Sequence, residues 1–352
     1  MDKTALCYGH RGVGCSIAHT LSEYPENTLT SIGRAVEYGS HGVEFDVYLT
    51  DLDDIVLCHG GEPDGRINYN YLRLVDGKTE VIPDEVTCQN LTIPPEELVV
   101  KMPWIKGRNA DEVKRTFPGL TKEQRERITA DYVSDNTPWR MEDGSLEHMP
   151  KLEHVLDRYG EKLKYNIELK GTKPELGLKV LKILERYPNL DVMISSFTWV
   201  PPELSPDSPH HESELEHWPN GRMKADILRP LVDKLPANVS LGVLFNYEKT
   251  ALCSVPRIIE IAKSYKAKFV NVVHDFWIEG EGLLGGDPET GKDALKHLVE
   301  RLHREDISVL TYWCQSPDLE EDYRLHIEAG VDIICPNDIK VAMKLVNQHV
   351  RV

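Results

Sequence analysis

Short apolar runs rich in β-branched residues alternate with amphipathic stretches from one end of the chain to the other. The runs predict strands near residues 5–9, 42–49, 164–169, 191–196, 240–245, 269–273, 307–312 and 331–335. Between them, apolar residues at helical spacing predict helices near 28–38, 151–159, 174–187, 223–235, 255–265, 291–304, 318–328 and 338–348. Repeated strand–helix units predict a parallel sheet with helices outside. Eight of each predict closure, giving an α/β fold of TIM type, a (β/α)8 barrel.

Two stretches interrupt the alternation. Ile55-Val56-Leu57-Cys58 follows the second strand after only a few residues. Parallel neighbours need a crossover of about a dozen residues, so this pair is expected to be an antiparallel hairpin that brings His59 back toward the level of Glu44 and Asp46. Residues 60–148 then separate the hairpin from the next helix, with a predicted helix over 121–132 and many Pro, Gly and polar positions. So long a segment inside one fold predicts an inserted cap subdomain between strand two and helix two. The barrel itself is expected from 1–59 and 149–352, with the cap over its C-terminal face. The other break, 198–222, reads as a polar surface loop in which His210 and His211 are solvated.

Charge narrows the partners. The sequence has 41 basic and 58 acidic residues, a formal net charge of -17. Such a surface repels nucleic acid and anionic membranes, so neither is an expected partner. A phosphate-bearing substrate then needs a local reversal of sign, from a bound cation or a few basic residues. No run of 18 apolar residues occurs, so stable membrane insertion is not expected. The residues before Gly9 are too few and too polar for a signal peptide to be expected, and seven cysteines lack disulfide-type or metal-type spacing. Both observations predict reduced thiols and a cytoplasmic location.

Three motifs carry chemistry. Gly9-His10-Arg11-Gly12 closes strand one, and Pro25-Glu26-Asn27-Thr28 opens helix one, with Asn27 as the expected N-cap. His10 would sit at the C-terminal rim, where barrel enzymes place their catalytic groups. Its imidazole suits proton transfer near neutral pH, and the Arg11 guanidinium suits phosphate. In Gly42-Val43-Glu44-Phe45-Asp46-Val47, Glu44 and Asp46 share one face of the strand. Two acids pointing into a barrel need a cation or a proton, and hard oxygen ligands suit Mg2+ or Ca2+. In Ile167-Glu168-Leu169-Lys170, Glu168 completes a three-carboxylate set while Lys170 offers positive charge; a simple Glu168–Lys170 ion pair fits the same spacing.

In this order, Gly-His-Arg-Gly, Glu-Asn-Thr, Glu-x-Asp, a strand ending in His59, and Ile-Glu-Leu-Lys resemble the glycerophosphodiester phosphodiesterase family. Met149 to Leu156, Ser195-Ser196-Phe197 and Ala329-Gly330-Val331-Asp332 look like later landmarks of that family. The resemblance implies metal-dependent hydrolysis of a small phosphodiester to glycerol 3-phosphate and an alcohol. It implies Glu44, Asp46 and Glu168 as divalent-metal ligands, His10 and His59 as the acid/base pair, and Arg11 and Lys170 at the phosphate. Phe197, Tyr312 and Trp313 would line the substrate pocket. Three departures stand out: Gly60 where the family has Asp, Tyr312-Trp313-Cys314-Gln315 for Trp-Thr-Val-Asn, and Pro336-Asn337 for Thr-Asp. A related reading is a lysophospholipase D or sphingomyelinase D-like enzyme, with Met102-Pro103-Trp104-Ile105 as its apolar mouth. A different one is a catalytically silent barrel that binds phosphodiesters or a partner.

Overall fold

The computed structural model describes residues 5–15, 24–61, 65–101, 136–201, 225–245, 255–274, 291–313 and 318–349. Strand β1 (Leu6–Gly9) pairs in parallel with β2 (Gly42–Leu49), and β2 turns back into the antiparallel β3 (Ile55–Leu57). Next come β4 (Tyr71–Val75), β5 (Lys78–Glu80) and β6 (Leu98–Val100), which form a separate antiparallel sheet. The main sheet resumes with β7 (Lys164–Leu169), β8 (Val192–Ser196), β9 (Val239–Phe245), β10 (Phe269–Val273), β11 (Ser308–Tyr312) and β12 (Ile333–Cys335). β7 pairs in parallel with β2, each later strand with its predecessor, and β12 with β1. The eight parallel strands therefore close into the expected barrel, with β3 as an outgrowth of β2.

Seven α-helices accompany the strands among the described residues: α1 (Leu29–Glu37), α2 (Leu152–Tyr159), α3 (Leu176–Leu184), α4 (Val255–Ser264), α5 (Gly291–His303), α6 (Glu320–Glu328) and α7 (Ile339–His349). The helix expected over 223–235 is not one in its described part. There the chain makes only a 3-10 turn, Arg229–Leu231. Pro230 removes a backbone donor, the Arg229 N–H is taken by the Asp226 side chain, and Pro236 forces Leu235 toward extended backbone. None of the described helices is long and apolar enough to cross a membrane.

Strand β2 shows why the frame is stiff where it must be. All eight of its residues are buried, and Val43, Phe45 and Val47 are completely enclosed in the main core. Each contributes about 1.5–3 kcal/mol by burial, which anchors the strand against the cost of the two acids that alternate with them.

The residues after β3 build a second apolar cluster. Ile67, Tyr71, Ile82, Cys88, Leu91, Leu98 and Val100 pack there with Tyr48, Val56 and Cys58 of the hairpin. The Tyr71 hydroxyl donates to the Leu57 carbonyl at 2.9 Å. The chain returns beside the hairpin: the Met149 N–H donates to Leu98 O, and the Leu57 N–H to Pro150 O, both at 2.9 Å. The expected helix over 121–132, the run Met102 to Ile105, and His210-His211 lie outside the described residues.

Candidate active site

The parallel register of β2 and β7 sets Asp46 opposite Glu168 and Glu44 opposite Asn166. Oxygens of Glu44, Asp46 and Glu168 all fall within 4.8 Å of one another, and all three residues are buried. Burial and mutual repulsion push the Glu44 carboxyl well above the ordinary range. The Glu168 carboxyl is also raised by burial, with Lys170 opposing. Asp46 goes the other way: although burial disfavours its charge, Arg11 and Lys170 hold it below the usual carboxylate range. Glu44 Oε1 and Asp46 Oδ1 are buried and accept no hydrogen bond from any described residue. Lys170 Nζ approaches Asp46 Oδ1 at 3.4 Å as an ion pair only. Two buried oxygens without donors among the described residues, beside a third carboxylate, fit a hard divalent cation.

The two histidines reach the site from different elements. His10 follows directly on β1, its Nε2 3.8 Å from Glu44 Oε2. Its Nδ1 faces Asn337 Oδ1 at 2.9 Å. That amide is oriented by its other contacts: Oδ1 accepts the Cys15 N–H at 3.2 Å, and Nδ2 donates to Asp318 Oδ1 at 2.9 Å. His10 Nδ1 must therefore carry the hydrogen, which leaves Nε2 with its lone pair in the neutral ring. His59 reaches the site because the Cys58 N–H donates to the Asp46 carbonyl at 3.1 Å. Its Nδ1 lies 2.9 Å from the Gly60 carbonyl oxygen, which can only accept, so this ring is fixed in the same tautomer. Burial, then Arg11, lowers His10 to about 3. Burial, Arg11 and Lys170 hold His59 well below its ordinary value.

Gly60 adopts φ +73°, and a Cβ added there would lie 2.5 Å from the Gly65 backbone. No aspartate fits that position without moving the chain. The backbone carbonyl of Gly60 orients His59 instead.

Arg11 is buried, donating Nη1 to Glu26 Oε2 at 3.1 Å and its backbone N–H to Glu44 Oε2 at 2.9 Å. Its Nε is 3.1 Å from Asp46 Oδ2, again as an ion pair without hydrogen-bond alignment. Lys170 Nζ pairs with Glu168 Oε1 at 2.7 Å and lies 5.3 Å from the centre of the Phe197 ring. Phe197 and Tyr312 meet edge to face at 6.0 Å, and Tyr312 meets the His10 ring at 6.4 Å. Trp313 packs with other rings. Its fully buried ring stacks on His274 and packs against Tyr323 and His326.

Asn27 is not the helix cap; the cap is Thr28, whose hydroxyl accepts the Ser31 N–H. Asn27, at φ 56°, instead exchanges two hydrogen bonds with Asp46, at 2.9 and 3.0 Å. The reason is the left-handed backbone, which turns the side chain inward and passes the extended cap position to the next residue.

The family model for the glycerophosphoryl diester phosphodiesterase family matches residues 10–199, from His10 through Trp199. The chain belongs to that family. The match spans His10, Arg11, Glu44, Asp46, His59, Glu168, Lys170 and Phe197, and stops before Tyr312 and Asn337. No curated protein matches the chain by sequence. Solved structures share its fold across nearly their whole length. A protein from Galdieria sulphuraria, assigned as a glycerophosphodiester phosphodiesterase, is 22% identical with a TM-score of 0.55, covering 97% of this chain and 98% of that one. A phosphodiesterase from Oleispira antarctica, solved in complex with the product sn-glycerol-3-phosphate, is 15% identical with a TM-score of 0.56, covering 97% and 96%. A glycerophosphodiester phosphodiesterase from Parabacteroides distasonis is 15% identical with a TM-score of 0.52, covering 99% and 100%.

Proposed function

We propose that this protein hydrolyses glycerophosphodiesters to glycerol 3-phosphate and an alcohol, with two histidines as base and acid beside a divalent-metal site. The observation that carries this reading is the cluster of three buried carboxylates, two of whose oxygens lack donors, beside two histidines with fixed tautomers. Glu44, Asp46 and Glu168 would hold Mg2+ or Ca2+, which when bound polarises phosphoryl oxygens and offsets their developing charge.

The side chains of the site do the rest. His59, kept neutral and hydrogen-bonded through Nδ1, presents Nε2 to take the proton of the attacking hydroxyl. His10 delivers a proton to the leaving alkoxide; an arriving phosphate anion favours the imidazolium that burial and Arg11 disfavour. Lys170, paired with Glu168, and Arg11, paired with Glu26, place two cations against the phosphate. Phe197 and Tyr312 line the substrate side. The 60–148 segment acts as a cap subdomain: Asn70 bonds both Gly60, next to His59, and Glu26, the partner of Arg11.

The test is a panel of glycerophosphodiesters and lysophospholipids, each with Mg2+, Ca2+, Mn2+ or chelator, read by product analysis. Glycerol 3-phosphate from glycerophosphodiesters, lost on chelation, is the expected result. Preferred cleavage of lysophospholipids would move the substrate class, and no turnover on any diester would leave a silent barrel. The cap is tested by replacing 62–147 with a short linker. An unchanged ranking of substrates would refute it.

A further inference from the structure

Cys58 and Cys88 are thirty residues apart in sequence and touch in space, their sulfurs 2.8 Å apart. Both are free, fully enclosed thiols. Each backbone is fixed independently, Cys58 N–H by the Asp46 carbonyl and Cys88 N–H by the Gly65 carbonyl, at 3.1 and 2.9 Å. The contact is therefore set by the hairpin and the inserted segment, not by two wandering side chains. A covalent S–S bond is about 2.05 Å, so closure requires an approach of less than about 1 Å. The surroundings are apolar, with Tyr48, Val56 and Leu91 in the same cluster. An apolar bridge suits that setting at least as well as two thiols.

We propose that Cys58 and Cys88 form a site of reversible covalent modification, an intramolecular disulfide that ties the inserted segment to the residue preceding His59. The proposal stands on this geometry and not on the hydrolytic reading. Closure is a two-electron oxidation, and a low-molecular-weight disulfide is the oxidant. One cysteine thiolate attacks it and expels a first small thiol, and the second cysteine attacks the resulting mixed disulfide and expels another. The S–S bond of the oxidant breaks, the protein S–S bond forms, and the two cysteine protons leave on the two small thiols. Burial pushes the Cys58 thiol well above its ordinary value. The pair therefore stays reduced in a reducing milieu and closes slowly, by local opening of the insertion, in an oxidising one.

The full-length native protein is incubated with excess oxidised glutathione, alkylated in denaturant, digested and mapped by mass spectrometry. The expected product is a peptide pair joined through Cys58 and Cys88, two hydrogens lighter than the dithiol and restored by dithiothreitol. The oxidised protein should melt roughly 5 °C higher than the reduced one, as a loop of this length implies for a chain of this size. Cys88→Ala and Cys58→Ala should each abolish both the joined pair and the shift. Full alkylation of both cysteines, a glutathione adduct that never closes, or a bridge to another cysteine would overturn the site. A mapped bridge without a rise in Tm would overturn the tether.

Discussion

Asn337 Oδ1 stands 2.9 Å from His10 Nδ1, across 327 positions of sequence, and the carboxylate of Asp318 holds that amide from behind. Asp318 accepts the backbone N–H of Asn337 as well as its Nδ2. An aspartate at 337 would put two carboxylates face to face, whereas the asparagine amide donates to Asp318. Asn337 is a positioning residue, acting through the His10 ring. Asn337→Ala should lower kcat by about 10–100-fold, by analogy with losing the partner that orients a metal-bound histidine. Metal-induced thermal stabilisation should be unchanged, because Asn337 contacts none of the three carboxylates. An unaltered kcat would show that His10 needs no such support.

Asp318 is also a pH probe. Burial, opposed by Tyr323 and Asn337, raises it to about 6 from an ordinary 3.8. The folded state then keeps the proton longer than the unfolded chain, so this residue makes stability fall as pH rises from about 4 to about 6. The effect is roughly 3 kcal/mol at 1.36 kcal/mol per pH unit. Asp318→Asn removes the titration but loses an acceptor. Its stability deficit against wild type should be largest near pH 4 and shrink toward pH 7. Urea melts of both proteins across that range measure it, and a constant deficit would contradict the raised value.

The metal proposal has its own signature. A cation at a hundred times its Kd stabilises the folded protein by about 2.7 kcal/mol. Glu44→Gln, Asp46→Asn and Glu168→Gln should each lose most of that increment and most activity. Wild-type increments in all three variants would remove the carboxylates from the metal site.

His10→Ala and His59→Ala should each lower kcat by about 10²–10⁴-fold on a glycerol–choline diester. A p-nitrophenyl leaving group needs little protonation. On such a substrate the His10 variant should recover much of its loss, while the His59 variant should not. Equal defects on both substrates would refute the division of roles.

Several of these features could be read from the sequence because they are local. A strand buried on both faces advertises itself as an apolar run, and Glu44 and Asp46 stand out because two acids interrupt one. The hairpin followed from a connection too short for a parallel crossover. The contacts that orient the site are not local. Asn27 to Asp46 and Asn337 to His10 depend on where the closed barrel brings distant turns. Gly60 shows the limit most clearly. Read alone it is a lost aspartate, yet in the fold its carbonyl orients His59 and its missing side chain lets Gly65 approach. The 3-10 turn at Arg229–Leu231 replaced a helix for the opposite reason, since Pro230 was visible but outweighed by the apolar spacing around it.

The inserted segment leaves the barrel just past Leu57 and returns at Pro150, whose carbonyl accepts the Leu57 N–H at 2.9 Å. Its two ends are thus neighbours, held by the barrel's own hydrogen bonds whatever lies between them. A flexible stretch added between such fixed ends costs closure free energy only logarithmically in its length, about 0.6 kcal/mol per doubling. Length added between those ends is therefore tolerated, provided Asn70 and Cys88 keep their contacts with Gly60 and Cys58.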